Sequence, residues 1–410
     1  MRLLHTSDWH LGRSFHRVDL TPHQESFLDW VVDEACAREV DAVLVAGDVF
    51  DRAVPPVDAV RLASRALARF AAAGVPVVVV AGNHDSATRL GFGAELAEAA
   101  GVHVRTQVDD VDRPVTLVDD DGPLHIYAVP YLDPDVVHAA LGAPRSHAGV
   151  LGAAFDRVRA HRSAHPGRAV VVAHAFVSGG APSDSERDIR VGGVHDVAPT
   201  VFDGVDYVAL GHLHRAQVVN GSTSTIRYCG SPLAYSFSEA GHRTSVTIVD
   251  VAADGSVTTE LVPTPVPRPV GSISGRLDDL LVDPALSARE SHWLHVTLTD
   301  PRRPDAPLEA LRSRFPHVLV VDFRPDGGEV AVDADLARLR AVASDPVEVG
   351  RAFLAYVAGG EPTESEMAVL ATADELARRR GEPLHALPAP PAEVAASAAT
   401  AGRDESAGVA

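Results

Sequence analysis

The chain has 410 residues, enough for a large core and two or three domains. Its composition is 46% hydrophobic with 5% aromatic residues, so Val, Ala and Leu must build the core; apolar runs such as residues 75–82 are strand-length and exclude a membrane-spanning helix. The formal charge of −20, with every basic residue an arginine, argues against a nucleic-acid grip by bulk charge and leaves a local Arg cluster or a basic partner as the route to such a substrate.

The first apolar run, residues 3–7, reads as a buried strand that delivers Asp8 and His10 into the following turn. Residues 22–38 have helical spacing of Phe27, Val31, Val32 and Ala35. A second strand over 42–46 ends in Gly47-Asp48, and Pro55-Pro56 opens a helix that runs to Ala73 and stops at Gly74. A third strand over 77–81 leads into Gly82-Asn83-His84-Asp85, and residues 88–100 predict one further helix. Such strand–helix alternation implies a parallel or mixed sheet covered by helices. Strands follow at 115–118 and 124–129, then helices at 134–141 and 149–164. A strand over 170–173 ends at His174, a polar loop covers 178–193, and a strand over 207–210 enters Gly211-His212-Leu213-His214. The runs 217–219, 226–229, 245–251 and 256–262 look like hairpin strands. The expectation is an α/β fold of mixed α+β type, with two stacked sheets between helical layers.

Four prolines in residues 263–269 mark a break. Beyond it a helix at 277–281, a strand at 292–298, a helix at 307–315 and a strand at 318–323 form a small α+β module. Helices follow at 347–357 and 364–380, with Phe353, Leu354 and Val357, then Met367, Leu370 and Leu376, on their apolar faces. The expected domains are 1–264, 265–342, 343–381 and a tail of 382–410 too poor in large apolar side chains to fold. A strand that begins almost at residue 1 leaves no room for a signal peptide, so a cytoplasmic location is expected. Cys36 and Cys229 are expected as two reduced, half-buried thiols.

All five polar motifs stand directly after apolar strands. If those strands are neighbours in one sheet, the motifs meet at its carboxyl edge, where open α/β sheets bind ligands. Asp8 with His10, and His212 with His214, are carboxylate–imidazole and imidazole pairs suited to Mn²⁺, Fe²⁺ or Zn²⁺. Asp48 has two oxygens and can bridge two metals at the roughly 3.5–4 Å separation of binuclear hydrolases. Asn83 offers a neutral carbonyl ligand, and His84 beside it can reach a substrate. Taken singly, Asp48 is better read as a turn or N-cap residue and His174 as a satisfied core histidine; the ordered set of five points to two metals and phosphate-ester hydrolysis.

This order resembles the calcineurin-like metallophosphoesterase superfamily, which implies a four-layer αββα sandwich. The surrounding sequence, from His5-Thr-Ser-Asp-Trp-His-Leu-Gly12 through Ala46-Gly-Asp-Val-Phe-Asp51 to Tyr228-Cys-Gly-Ser-Pro-Leu-Ala-Tyr-Ser-Phe-Ser-Glu239, is similar to the SbcD family of Mre-type nuclease subunits. The loop Ser183-Asp-Ser-Glu-Arg187 fits the same pattern, and the resemblance is strong over residues 1–250. It implies one metal on Asp8, His10, Asp48 and His214, and a second on Asp48, Asn83, His174 and His212. Two Mn²⁺ ions are implied as cofactors. His84 would stand unliganded beside the scissile phosphate as the catalytic histidine. Asp51 and Asp85 are expected to fix histidines or backbone rather than bind metal. Arg187, Arg190 and Arg215 are candidates for DNA phosphate contacts.

The resemblance further implies a homodimer that acts on DNA as a 3′–5′ double-strand exonuclease and single-strand or hairpin endonuclease. A capping domain would seat the DNA, and the C-terminal helices would dock on an SbcC-type coiled-coil ATPase in DNA repair and recombination. The rival readings are a phosphomonoesterase, a cyclic-nucleotide phosphodiesterase, and a non-catalytic dimeric scaffold for the ATPase. Protein phosphatases of this superfamily usually carry Glu where this chain has Asp85, and a small-molecule diesterase has no need of the module after residue 269.

Overall fold

The computed structural model describes residues 1–186, 197–325, 346–358 and 361–378. Its contacts divide the chain into two units, the first being Met1–Ile273 with Pro284–Val296 and Leu311–Val320.

Within the first unit the strands Ala42–Ala46, Val77–Val80, Arg168–His174 and Tyr207–Gly211 are buried at every residue. Both faces of such strands are covered, which is why they read as unbroken apolar runs rather than alternating ones. They do not share one sheet. The first six-stranded sheet runs Val257–Pro263, Ser245–Val251, Arg2–Thr6, Ala42–Ala46, Val77–Val80, Val102–Arg105. The second runs Gln217–Val219, Thr225–Tyr228, Tyr207–Gly211, Arg168–His174, Gly122–Val129, Val115–Asp119. Three motifs therefore leave the first sheet and two leave the second. The one-sheet condition is corrected to two sheets whose strand ends meet.

The sheets are glued by a shared apolar layer. Leu44, Ala46, Val78 and Val80 of the first meet Ile126, Val170, Val172 and Ala209 of the second. The outer face of the first sheet packs on helices Thr21–Ala37 and Val57–Ala72 through Phe27, Val31, Leu62 and Phe70. The outer face of the second packs on helix His147–Ala164 through Val150, Ala154, Phe155 and Val158. This is the expected αββα sandwich.

Three readings differ from expectation. Residues 88–100 are two short helices, Ala87–Leu90 and Ala94–Glu98, because Gly93 takes a left-handed φ of 74° between them. Strand Thr225–Tyr228 is parallel to Tyr207–Gly211, and Ser245–Val251 joins Arg2–Thr6 in the other sheet, so only Gln217–Val219 with Thr225–Tyr228 and Ser245–Val251 with Val257–Pro263 pair antiparallel as expected. Both cysteines are free, but Cys36 is exposed and Cys229 fully buried.

Strands Val270–Gly275, Trp293–Leu298 and Val318–Phe323 form a three-stranded sheet, and helices Leu277–Val282 and Pro307–Arg312 accompany them in sequence. The second unit includes helices Pro346–Ala358 and Glu364–Arg378, where Leu370 lies against Gly350. Among the described residues, no helix is long and apolar enough to cross a membrane.

Candidate metal centre

The motif turns are bonded to one another before any ligand is considered. Asp8 N–H donates to the Gly47 carbonyl at 3.0 Å, and His10 N–H to the Asp48 carbonyl at 3.0 Å. The His212 N–H donates to the Asp8 carboxylate at 3.0 Å, and the His84 N–H to Asp48 Oδ1 at 2.9 Å. Asp8, His10, Asp48 and His212 all have positive φ, of 53°, 44°, 48° and 112°. Non-glycine residues are seldom found there, and such strain gathers at functional sites where the surroundings over-determine it. Gly211 shows how close the two sheets come: a Cβ on it would run into the Ala46 carbonyl and the Ser7 side chain.

Seven predicted ligands and His84 converge here. Asp48 Oδ2 is the common point: His174 Nε2 lies 3.6 Å away, His10 Nε2 3.7 Å and His84 Nε2 3.9 Å. On one side His10 Nε2 and His214 Nε2 are 3.1 Å apart, and with Asp8 they form a cluster able to hold a metal ion. On the other, Asn83 Oδ1 is 2.9 Å from His174 Nε2 and 3.1 Å from His212 Nδ1. Asp8, His10, Asp48, His84, His174, His212 and His214 are buried; Asn83 is half-buried.

The chemistry of the set fits cations. His174 Nδ1 is 2.9 Å from the Ala46 carbonyl, so the neutral ring donates there and turns the Nε2 lone pair toward the Asn83 and Asp48 oxygens. Acceptors facing acceptors are unfavourable unless a cation lies between them. Burial pushes the Asp48 carboxyl well above its ordinary range, with the charges of Asp8 and Asp85 adding to it, and raises Asp8 as well. Burial likewise drives His10 and His212 well below the ordinary imidazole value and lowers His174. Neutral imidazoles and carboxylates short of counter-charge are what a divalent ion would satisfy.

Asp51 and Asp85 occupy different positions. The Asp85 carboxylate accepts from the N–H groups of Gly82, Val49 and Phe50 at 2.9, 3.1 and 2.9 Å, stitching two motif loops together. Burial nonetheless raises its carboxyl to about 6. The Asp51 carbonyl accepts from His84 Nδ1 at 2.7 Å, leaving Nε2 of that ring toward the centre. Arg215 is exposed beside His214, whereas Arg187 and Arg190 lie outside the described residues.

Sequence reasoning gave no role to several groups that hold the centre. Glu239, 1% exposed, accepts from His214 Nδ1 at 3.1 Å, from the Tyr235 N–H at 2.6 Å and from the hydroxyls of Ser183 and Ser185. Burial disfavours its charge, but the His214 bond and charge outweigh burial and hold its carboxyl at about 2. For His214 burial works against the charged ring, and the Glu239 bond overrides it and raises the ring. Glu186 accepts from the His214 N–H at 2.8 Å. Gln24 donates to the His10 carbonyl at 2.7 Å and accepts from the Gly12 N–H at 3.1 Å. The Ser7 hydroxyl donates to the Asp8 carboxylate and touches Cys229 Sγ at 3.0 Å. Glu239 and residues 183–186 lay inside the stretches that carry the family resemblance; Gln24 and Ser7 had no distinguishing pattern.

Residues 1–216 match the family model of the calcineurin-like phosphoesterases. The SbcD component of the SbcCD nuclease of Escherichia coli strain K12 is 32% identical over 311 residues, covering 73% of this chain and 76% of that protein; its counterpart in Escherichia coli O157:H7 gives the same figures. The chain belongs to the calcineurin-like phosphoesterases, in their SbcD family. Like the family as a whole, this SbcD-type phosphoesterase is a hydrolase that uses divalent metals, and Asp8, His10, Asp48, His84, His174 and His214 form clusters able to hold a metal ion. The solved structure of TT1561 of Thermus thermophilus aligns with 14% identity and a TM-score of 0.38, over 63% of this chain and 98% of that one.

Proposed function

We propose that this chain is a DNA phosphodiesterase: a 3′–5′ double-strand exonuclease and single-strand or hairpin endonuclease. It would work with an SbcC-type ATPase in DNA repair and recombination. The observation that carries this is the similarity to a nuclease component over 73% of the chain, together with the full donor set gathered around Asp48. In this reading Asp8, His10 and His214 would hold one ion and Asn83, His174 and His212 the other, with Asp48 shared by both sets.

The bound ions, Mn²⁺ by preference, would neutralise the phosphate oxygens and activate water for attack on phosphorus. The protein's part is to fix the donors and to supply a proton. His84 is held by its Nδ1–H on the Asp51 carbonyl at 2.7 Å, which aims Nε2 at the centre. Protonated there, it gives its Nε2 proton to the alkoxide oxygen as the P–O bond breaks, completing the leaving alcohol. Asp85 keeps the loop that carries Asn83 and His84 in register with the one that carries Asp48.

The stretch 265–342 is read as a capping domain that seats DNA, and 343–381 as the ATPase-docking segment. Phe353, Val369 and Leu376 are 60%, 66% and 43% exposed, which supports an apolar docking face. A homodimer in the cytoplasm is the expected setting. Phe92, 91% exposed, lines an apolar cavity walled by helix Val57–Ala72, which supports a face for the second copy there. The deciding assay loads the isolated protein with Mn²⁺. It compares single-stranded and hairpin DNA with p-nitrophenyl phosphate, a nucleoside monophosphate and a cyclic nucleotide. DNA cleavage is expected; turnover of the small esters alone would overturn the nuclease reading.

A further inference from the structure

A polar cavity of about 360 Å³ shares His84 with the metal centre and is lined also by Arg13, Ser14, Asp51, Arg52 and Ser185. Arg13 is its most informative wall. The side chain is only 18% exposed, and its guanidinium lies over the Tyr235 ring, 4.9 Å from the centroid. Nη2 makes one long bond of 3.4 Å to the Ser185 carbonyl. Nη1 is 3.6 Å from the Asp51 carboxylate, too far for a hydrogen bond.

A guanidinium carries five N–H donors in a rigid fork. Among the described residues, the Ser185 bond is the one hydrogen bond that engages them. The remaining N–H groups are not sealed from solvent, and Arg13 lines the cavity, so the fork can take an acceptor that arrives there. The ring below, the loop carbonyl and the carboxylate fix its direction beforehand, which removes the rotamer cost of binding. The acceptor that fills two adjacent N–H groups of Arg is a bidentate oxyanion, and phosphate is one.

The seat is itself anchored to the centre. Ser185, whose carbonyl holds Arg13, bonds through its hydroxyl to His214 Nδ1 at 2.6 Å, and Tyr235 donates to the Trp9 carbonyl at 2.6 Å between Asp8 and His10. Arg13 therefore stands at a distance set by the metal ligands. Among the described residues, the polar neighbours of Arg13 are Ser185 and Asp51, and Asp48 is not one of them, so an oxyanion on it would sit to the side of the Asp48 donors.

We propose that Arg13 grips the phosphate adjacent to the scissile one in a polynucleotide strand. This cavity is then the subsite that separates a strand from a lone phosphate ester. The inference rests on the nuclease reading and adds the residue that measures a second phosphate.

The test uses the Mn²⁺-loaded full chain, Arg13→Ala and Arg13→Lys, on two chromogenic esters: p-nitrophenyl thymidylate, and the same ester extended by one nucleotide through a phosphodiester. Wild type is expected to favour the extended ester about ten- to hundredfold in kcat/KM, the span of one charged hydrogen-bond pair. The preference should come through KM, fall toward unity in Arg13→Ala and be partly restored in Arg13→Lys. A second readout needs no turnover. Anisotropy of a labelled oligothymidylate in EDTA should give a slope of log K against log salt smaller by about 0.7 in Arg13→Ala, one phosphate contact on a single strand. DNA cleavage with an unaltered preference and an unaltered slope overturns the subsite alone. Proportional loss on both esters makes Arg13 a structural residue and overturns it too. Absence of any DNA cleavage by wild type overturns the nuclease reading, and the subsite with it.

Discussion

His214 Nδ1 lies 3.1 Å from the Glu239 carboxylate, and both side chains are 1% exposed. The bond fixes which nitrogen of His214 carries the proton and turns Nε2 toward His10 and Asp8. Such carboxylate–histidine pairs orient a ligand and raise its basicity, and losing the carboxylate typically costs about 10–100-fold in metal affinity. With His214 a ligand as proposed, Glu239→Gln should weaken one of the two proposed Mn²⁺ sites by that factor, measured by the paramagnetic signal of free Mn²⁺ during titration. Two sites of unchanged affinity would mean that Glu239 only anchors residues 183–186.

His84 touches Asp48 less closely than His10 or His174 do, and its Nδ1 is occupied by the Asp51 carbonyl. His84→Gln should therefore bind the same number of metal ions as wild type. The rate of cleavage should drop by about 10²–10⁴, the usual worth of a placed proton donor. Metal content by elemental analysis, alongside kcat, separates the roles. Loss of metal in step with loss of rate would make His84 a ligand.

The layers of the sandwich and the meeting of the motif turns were legible; the pairing of the strands was not. Strands such as Val77–Val80 and Arg168–His174 declare themselves because burial on both faces demands unbroken apolar runs. Which strands pair does not declare itself: Thr225–Tyr228 lies parallel to Tyr207–Gly211, and Ser245–Val251 beside Arg2–Thr6, through contacts between residues far apart in sequence. The proposed ligands stood out because each ends or closely follows a buried strand. Glu239 did not, since its meaning comes from meeting His214 and Ser185 in space. Gln24 is similar, an ordinary helical glutamine until its amide is seen to clamp His10 and Gly12. The break at Gly93 was visible as a glycine, but one glycine inside a helical pattern does not fix a left-handed turn.

Gly211 tests how tightly the two sheets are joined. Its Cβ would collide with the Ala46 backbone carbonyl, an atom held inside a fully buried strand and unable to move aside. Gly211→Ala should destabilise the protein by about 3 kcal/mol or more, the upper end of what overpacking costs, because the backbone it meets cannot give way. The check is chemical denaturation of the metal-free protein beside Gly74→Ala, a left-handed position with open space around it. Equal midpoints for the two variants would show that the sheets can part at little cost.

His5 links the sheets across their buried interface, with Nδ1 2.9 Å from the Tyr207 hydroxyl and Nε2 3.2 Å from the Leu210 carbonyl. Burial lowers its ring to about 3, against an unfolded value near 6.5. The folded state thus keeps His5 neutral where the unfolded chain would protonate it. The stability it contributes is complete above about pH 6.5 and is lost as pH falls from there toward 3. His5→Asn should be less stable than wild type at pH 8, and the gap should narrow by up to about 1.4 kcal/mol per unit as pH falls below 6.5. Denaturant midpoints at pH 8, 6 and 5 measure it. A gap constant with pH would mean that His5 takes up its proton in the folded state.

The helices Pro346–Ala358 and Glu364–Arg378 meet through Leu370 and Gly350 yet leave Phe353, Val369 and Leu376 exposed. Two helices that satisfy each other only in part need a further apolar surface, and the proposed ATPase partner would provide it. Deletion of residues 345–380 removes no donor of the metal centre, so metal-dependent cleavage of single-stranded DNA should persist within about twofold, while capture of the coiled-coil ATPase should disappear. Phe353→Glu alone should weaken capture by about tenfold or more, since charging an anchor in a desolvated interface costs at least about 1.4 kcal/mol. Co-migration in size-exclusion chromatography, with the nuclease assay run on the same fractions, reports both quantities. Undiminished capture by the deletion variant would place the partner's surface elsewhere on the protein, whereas loss of cleavage together with capture would show that these helices support the centre.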